Sequence, residues 1–486
     1  MITTSSTEKA TFQFSIFSED QIEEIKWAAF DVMRTAGFKV YHPEARKMLK
    51  QAGAVVRGES VKVPDHIVRE CIRLAPKGWT IFNRNGQRAM EIQGRKSYFG
   101  TSTASPNTHD IVTGTVRPTQ LEDIGRGARL ADALEHIDFV MPFGSSQDVP
   151  GEACDIYEFP EIVANTVKPI VFIGYSGRGV ELVYEMAAAA VGGLDNLQER
   201  PYVIAYPESI APMVFPQQTV DRIFAAASLN MPQIPCADIQ LGATGPVTIA
   251  GAIVQALVEG LMGLVLAQLK KPGCPVCLAT TIGILDMSRG LMTFGAPTNS
   301  TALCAHAEVA RSFGLPTWGL AGATDAKGVD AQSGAETAFH ILAQALAGLN
   351  LIHDVGYIDS AMTCSAHQMV FGNEVIGMVK HFMKGITVNR ETLAREVIAS
   401  VGPGGNFLEH QHTFDHFKDE LWFPEMMNRQ SRGDWESNGA RDMATISAEE
   451  TTRILGSHEP QRLDGRIIDT LADIRIRGEK ELLSRS

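Results

Sequence analysis

Eight short apolar segments separated by long helical ones predict a (β/α)8 TIM barrel. Three observations carry this expectation. The strand-like runs start roughly every 30 to 40 residues, Ala- and Leu-rich helical patterns fill the gaps, and the eight units span about 270 residues. Alternating strand and helix implies parallel strands, with an open doubly wound sheet as the alternative architecture.

The strands are SYFGT from residue 97, DFVMPF from 138, PIVFIGY from 169, YVIAY from 202, PQIPCAD from 232, CPVCLATT from 274, PTWGLAGA from 316 and NLIHDVG from 350. Most are β-branched and aromatic residues with little charge, as fully buried strands require. Between them lie DRIFAAASLN, GAIVQALVEGLMGLVLAQLK and ETAFHILAQALAGL. Residues 1–95 read as an N-terminal helical layer: EDQIEEIKWAAFDVMRTAG closing on Gly37, a second helix from Pro43 to Gly53, and VKVPDHIVRECIRLAP with a proline at a helix start. The barrel takes residues 96–370. Residues 371–486 lose the alternation and read as a C-terminal helical extension wrapped on the barrel.

Hydrophobic content of 44% and charged content of 20% suit a globular chain. No apolar run of about 18 residues escapes interruption by charge, Gly or Pro, and the first residues lack a basic, then apolar, leader. A cytoplasmic protein without a membrane span is expected. Seven cysteines scattered through apolar segments suit reduced thiols, and CPVC at Cys274 to Cys277 lacks the second pair of a zinc site. A net charge of −13 opposes nucleic-acid binding and is compatible with a cationic ligand. No Walker loop and no GxGxxG after a strand is present.

Functional residues of such barrels sit at the C-terminal strand ends. Reading those ends gives Tyr98, Phe99, Phe143, Tyr175 and Tyr206, then Asp238, Gln240, Thr280, Asp325, Lys327, His353 and Tyr357. Aromatic rings converging on one rim would make a cage for a quaternary ammonium. GATDAKGVDAQSGAE, residues 322–336, is the most polar loop of the barrel region, and its Lys327 could instead serve a Schiff-base lyase. HQHTFDHF places His412 and His416 one helical turn apart, with His410 beside them, but lacks the glutamate of HExxH. It reads as a structural loop.

Several long phrases in combination resemble the trimethylamine methyltransferase family, in particular its branch without pyrrolysine, the glycine betaine type quaternary-amine:corrinoid protein methyltransferases. They are AGFKVYHPEARKMLKQAGAVV and VKVPDHIVRECIRLAPK near the start, and GATGPVTIAGAIVQALVEGLMGLVLAQL, TDAKGVDAQSGAE and AGLNLIHDVGYIDSAMTCS in the barrel. VGPGGNFLEHQHTFDHFKDELW follows in the tail.

The resemblance implies a barrel whose mouth accepts a methylated amine and docks a corrinoid protein. The Co(I) corrinoid of that partner is the methyl acceptor, and no cofactor is tightly bound by the chain itself. It also implies that Gly334 marks the place where trimethylamine enzymes carry pyrrolysine, which directs the expectation toward glycine betaine or a related betaine. For the carboxylate of a betaine, His353 is the first candidate donor, with Gln332 or Gln240 helping; the alternative for His353 is a supporting role, bonded to Asp325 or Asp354. No catalytic acid or base and no metal is expected. Self-association is compatible with a barrel of this size. A quaternary-amine binding protein without turnover is the remaining alternative.

Overall fold

The computed structural model describes residues 2, 3, 12 and 14–484. Each of the eight predicted segments contributes one parallel strand to a closed ring. Lys96–Thr101 meets the second strand through Gly100 and Phe139, and Val140 pairs with Ile170. Ile170–Phe172 then runs beside Val203–Ala205. Single bridges continue the ring from Ala205 to Gln233, Gln233 to Val276 and Leu278 to Thr317. Trp318–Leu320 pairs with Leu351–Val355, which returns to Lys96–Thr101. A closed ring has no edges, so the open-sheet alternative falls.

Period-two alternation sorts the strand residues between two cores. Tyr98, Phe139, Met141, Val171, Ile204, Tyr206, Trp318 and Leu320 fill the barrel interior. Phe99, Val140, Val203, Ala205 and Ile352 face outward under the helices. The N-terminal end of the ring is covered by a hairpin, Trp79–Phe82 with Arg88–Ile92, whose Ile81, Met90 and Ile92 join the inner cluster. Asn350 ties that end down by donating to the carbonyls of Gln93, Gly94 and Lys96. The opposite end stays available for function.

Two small sheets rise around that mouth. Glu208–Ser209, Cys236–Leu241, Thr281–Asp286 and Leu291–Thr293 form one; Tyr357–Ile358, Thr363–Ser365, Asn107–His109 and Val116–Pro118 form the other. The strands of the barrel thus continue into the walls of its opening.

Helix Ile249–Lys270 is apolar on nearly every face, and its length and composition alone would allow it to cross a membrane. Here it is a core helix, packed against Glu19–Thr35, Asp65–Leu74, Gln217–Ser228 and Pro297–Ser312. A helix hydrophobic all round is one covered all round.

The N-terminal region is not purely helical. Phe38–Val40, Ser60–Lys62 and Val55–Arg57 are strands, and Phe38–Val40 pairs in parallel with Val214–Phe215 from the loop after the fourth barrel strand. Three-residue strands leave too little alternation in the sequence to show, and their partner lies far along the chain. Their consequence is positional: the layer braces the loop that follows Tyr206. At the other terminus, helix Met443–Ser457 packs on Ala366–Phe382, and Gly465–Leu483 packs on Cys154–Asn165 and Gly177–Ala190.

Candidate active site

The fourth strand ends where Pro207 interrupts the ladder, and Tyr206, inward-facing like Ile204, stands at that exit. Its ring centroid lies 5.3 Å from Trp318 and 6.2 Å from His353, while Trp318 and His353 are 4.4 Å apart. Phe139 stands 6.0 Å from Trp318 across the interior. These spacings are those of packed aromatic rings. The three side chains are almost wholly buried: Tyr206 is 3% exposed, Trp318 0% and His353 4%. Burial raises the Tyr206 hydroxyl's pKa, with Cys236, Glu208 and Thr281 beside it.

Polar groups in this cluster lack partners. Trp318 Nε1 and both ring nitrogens of His353 make no hydrogen bond among the described residues. Asp354, 1% exposed, also makes none, although one carboxylate oxygen lies in ion-pair contact with His353 Nδ1. Asp354 has φ +88°, and the register of the eighth strand shifts between Ile352 and Val355. A bulge with a non-glycine residue at positive φ stores backbone strain, and such strain gathers at functional sites. Buried, unpaired polar groups carry a desolvation cost that a ligand can relieve.

Carboxylates surround the rings. Glu208 lies two residues past Tyr206, and burial raises its pKa against the opposing pull of Arg222 and the neighbouring Tyr206. Asp238 keeps solvent access but makes no hydrogen bond among the described residues; burial, then Glu208, Asp354 and Glu259, push its pKa up to about 7. Glu259, on the buried helix, accepts from Ser209 at 3.2 Å and so holds the loop carrying Glu208. Arg222 braces the same loop, donating to the carbonyls of Gly174 at 2.9 Å and Glu208 at 3.1 Å.

The shared aromatic rim is corrected by this geometry. Tyr98 lies near the closed end, where its hydroxyl accepts from the Glu91 N–H at 2.9 Å, because it comes early in its strand. Phe99, one residue on, faces the outer helices. Phe143 also lies in the outer layer, with its ring against Gly127 and Gly356. Tyr175, 36% exposed, bonds to Ser145 at 3.2 Å, and burial and the nearby Glu158 raise its pKa. Tyr357 is buried and accepts from the Thr103 N–H at 3.0 Å, which fixes the loop after the first strand.

Neither helper for His353 joins it. Gln240 donates toward Met292 Sδ at 3.2 Å, and Gln332 is exposed on a helix, bonded to Glu336 at 2.8 Å. Gly334 lies on helix Ala331–Ala347, facing Phe371 of the neighbouring helix and not the barrel interior. Of the predicted set, Tyr206 and His353 come together. Trp318, Glu208, Asp238 and Asp354 complete the group without having been selected as ligand contacts. Inward parity with Leu320 was the available signal for Trp318; Asp354 was readable as a partner of His353, and that contact is present, but its buried position at positive φ depends on the bulge.

Lys327 points to solvent and pairs with Asp359 at 2.5 Å, away from the aromatic cluster. The rings of His412 and His416 are 4.4 Å apart, with Glu391 3.5 Å from His416, in the tail. Among the described residues no cluster of three or more His, Cys, Asp or Glu side chains is arranged to hold a metal. All seven cysteines are free thiols.

A cation held against the Tyr206 ring face gains about 0.5 to 2 kcal/mol. Tyr206→Leu is therefore expected to weaken binding of a quaternary amine by that amount while the protein stays folded, as titration calorimetry and circular dichroism would show. Unchanged affinity would remove the ring from the site.

Comparison with known proteins gives matches over nearly the whole chain. The family described as Trimethylamine methyltransferase (MTTB) matches residues 3–482. Trimethylamine methyltransferase MttB of Methanosarcina thermophila is 31% identical over 464 residues, covering 94% of this chain and 96% of that protein. Glycine betaine methyltransferase of Desulfitobacterium hafniense is 28% identical over 457 residues, covering 94% and 95%. Among solved structures, the monomethylamine methyltransferase MtmB of Methanosarcina barkeri superimposes with TM-score 0.53 at 9% identity, covering 97% of this chain and 88% of that one. The last match speaks to the fold.

Proposed function

Because the chain belongs to the trimethylamine methyltransferase family, whose members are methyltransferases, we propose that it transfers a methyl group from a quaternary amine to the Co(I) corrinoid of a partner protein in the cytoplasm. One observation carries the reading: a buried Tyr206–Trp318–His353 cluster, ringed by Glu208, Asp238 and Asp354, at the open end of the barrel. Aromatic faces and carboxylates both favour a fixed positive charge. A relative named for glycine betaine supports a quaternary donor.

The partner's corrinoid supplies the nucleophile. Attack on the methyl carbon breaks its bond to nitrogen, and the electron pair leaves with a neutral tertiary amine, so no proton is required. What this chain contributes is position: rings and carboxylates hold the ammonium so that one methyl faces the opening, and the packed interior keeps water from the cation's far side. Docking has a surface to use. Val112, Ile210, Val247, Met287, Leu291 and Met362 are all exposed, on loops that follow the first, fourth, fifth, sixth and eighth strands. Exposed apolar side chains collected around one opening suit contact with a second protein.

The test is a methyl-transfer assay with reduced corrinoid protein over a panel of amines. Turnover is expected from at least one quaternary amine and from none of mono-, di- and trimethylamine. A quaternary nitrogen stays charged at every pH and departs as a neutral amine, whereas the free base of a smaller amine would have to leave as an amide anion. Robust turnover of trimethylamine would defeat this reading.

A further inference from the structure

We infer that the quaternary amine accepted by this site has a neutral, hydrogen-bond-donating remainder, of the choline type, and not the carboxylate of a betaine. The inference rests on the quaternary-amine reading above. It follows from the charges and the hydrogen-bond inventory around Tyr206, Trp318 and His353.

Charge comes first. Glu208, two residues past Tyr206, and Asp354, in contact with His353, stand beside the aromatic cluster; Asp238 lies within electrostatic reach of Glu208, Asp354 and Glu259, and Glu259 holds Ser209 next to Glu208. No lysine or arginine terminates any of the eight strands. Arg222 is the guanidinium facing Glu208, and its donors go to the carbonyls of Gln218, Gly174 and Glu208 and to the Thr219 hydroxyl. Lys327 pairs with Asp359 outside. A betaine would bring its own anion, a few ångströms from its ammonium, into this acidic surround.

Hydrogen bonding gives the same sign. A substrate carboxylate can only accept, and the unpartnered donors on offer are Trp318 Nε1 and a ring N–H of His353, itself in contact with Asp354. Gln240 and Gln332 are engaged with Met292 and Glu336. Unpartnered acceptors are in excess: both oxygens of Asp354 are buried without a hydrogen bond, and Asp238 has none. A hydroxyl can donate to one of these carboxylates and accept from Trp318 or His353. The site is short of ligand donors, not of ligand acceptors.

Titration calorimetry on the full chain with choline, glycine betaine and tetramethylammonium tests this. Choline is expected to bind at least tenfold more tightly than glycine betaine. Asp238→Asn and Glu208→Gln should each narrow that ratio, by weakening choline and strengthening glycine betaine, in proteins whose circular dichroism matches the parent. Glycine betaine binding as tightly as choline, or a ratio that neither substitution moves, would overturn the inference while leaving the quaternary-amine reading standing if tetramethylammonium binds. Absence of binding by all three would overturn that reading, and this inference with it.

Discussion

Asp354→Gly is expected to make the protein more stable and at the same time to lower kcat/KM for its best amine by about 100-fold or more, on the order of 2.7 kcal/mol of transition-state stabilisation. Both halves come from the same residue. Asp354 is 1% exposed, holds φ +88° and offers two carboxylate oxygens that make no hydrogen bond. Strain of this kind costs about 1–3 kcal/mol, and glycine adopts positive φ freely. Removing a buried carboxylate that makes no hydrogen bond adds to the gain, less the loss of its ion-pair contact with His353. Against this stands the backbone entropy of glycine, about 0.5–1 kcal/mol. The net expectation is a gain of about 1–3 kcal/mol, read from urea denaturation. Function should suffer because Asp354 adjoins His353 and shares its field with Asp238. Loss of stability would show that the bulge depends on the carboxylate; unchanged kcat/KM would remove Asp354 from the site.

The same residue shows where the sequence stops being readable. All eight barrel strands were visible because each is an apolar run set off by helices, and buried parallel strands leave that mark. The facing and height of single residues were not. Tyr98 and Tyr206 look alike as aromatics in short strands, yet one is the third residue of its six-residue strand and the other follows its strand's last. Counting from strand starts found along the interior axis would have separated them, but the starts are blurred by two or three residues in the sequence. Trp318 was hidden for another reason: it opens a strand, where a ring is ordinarily core, and its meaning comes from His353 at 4.4 Å on the next strand. Glu208 was legible as a charge at a strand exit. Asp354 was legible as a partner of His353 but not as a buried residue at positive φ, because the inserted residue of a bulge is set by how two strands fit together and not by either one's composition.

Gly100→Ala is expected to cost about 3 kcal/mol or more of stability, read from urea denaturation, and Phe139→Leu in the same chain should restore about half of it. Gly100 lies in the first barrel strand, opposite Phe139 of the second, and a Cβ built there would overlap the Phe139 ring. That ring cannot step aside: it is fully buried and stands 6.0 Å from Trp318, itself packed on Tyr206 and His353. Overpacking of a rigid core by one methyl typically costs about 1–3 kcal/mol, and this position falls at or beyond the upper end because the obstacle is a ring face and not a flexible chain end. The backbone adds nothing to the cost, since Gly100 does not have a positive φ. Alanine would by itself favour folding slightly by restricting the unfolded chain. Shortening Phe139 opens space for the methyl, so the two changes should couple with a favourable interaction of about 1–3 kcal/mol in a double-mutant cycle. A Gly100→Ala protein with parental stability would mean that the second strand shifts freely against the first. In that case the aromatic layer above it could not hold Trp318 and His353 at a fixed spacing, and the pre-arranged site argued for here would lose its foundation.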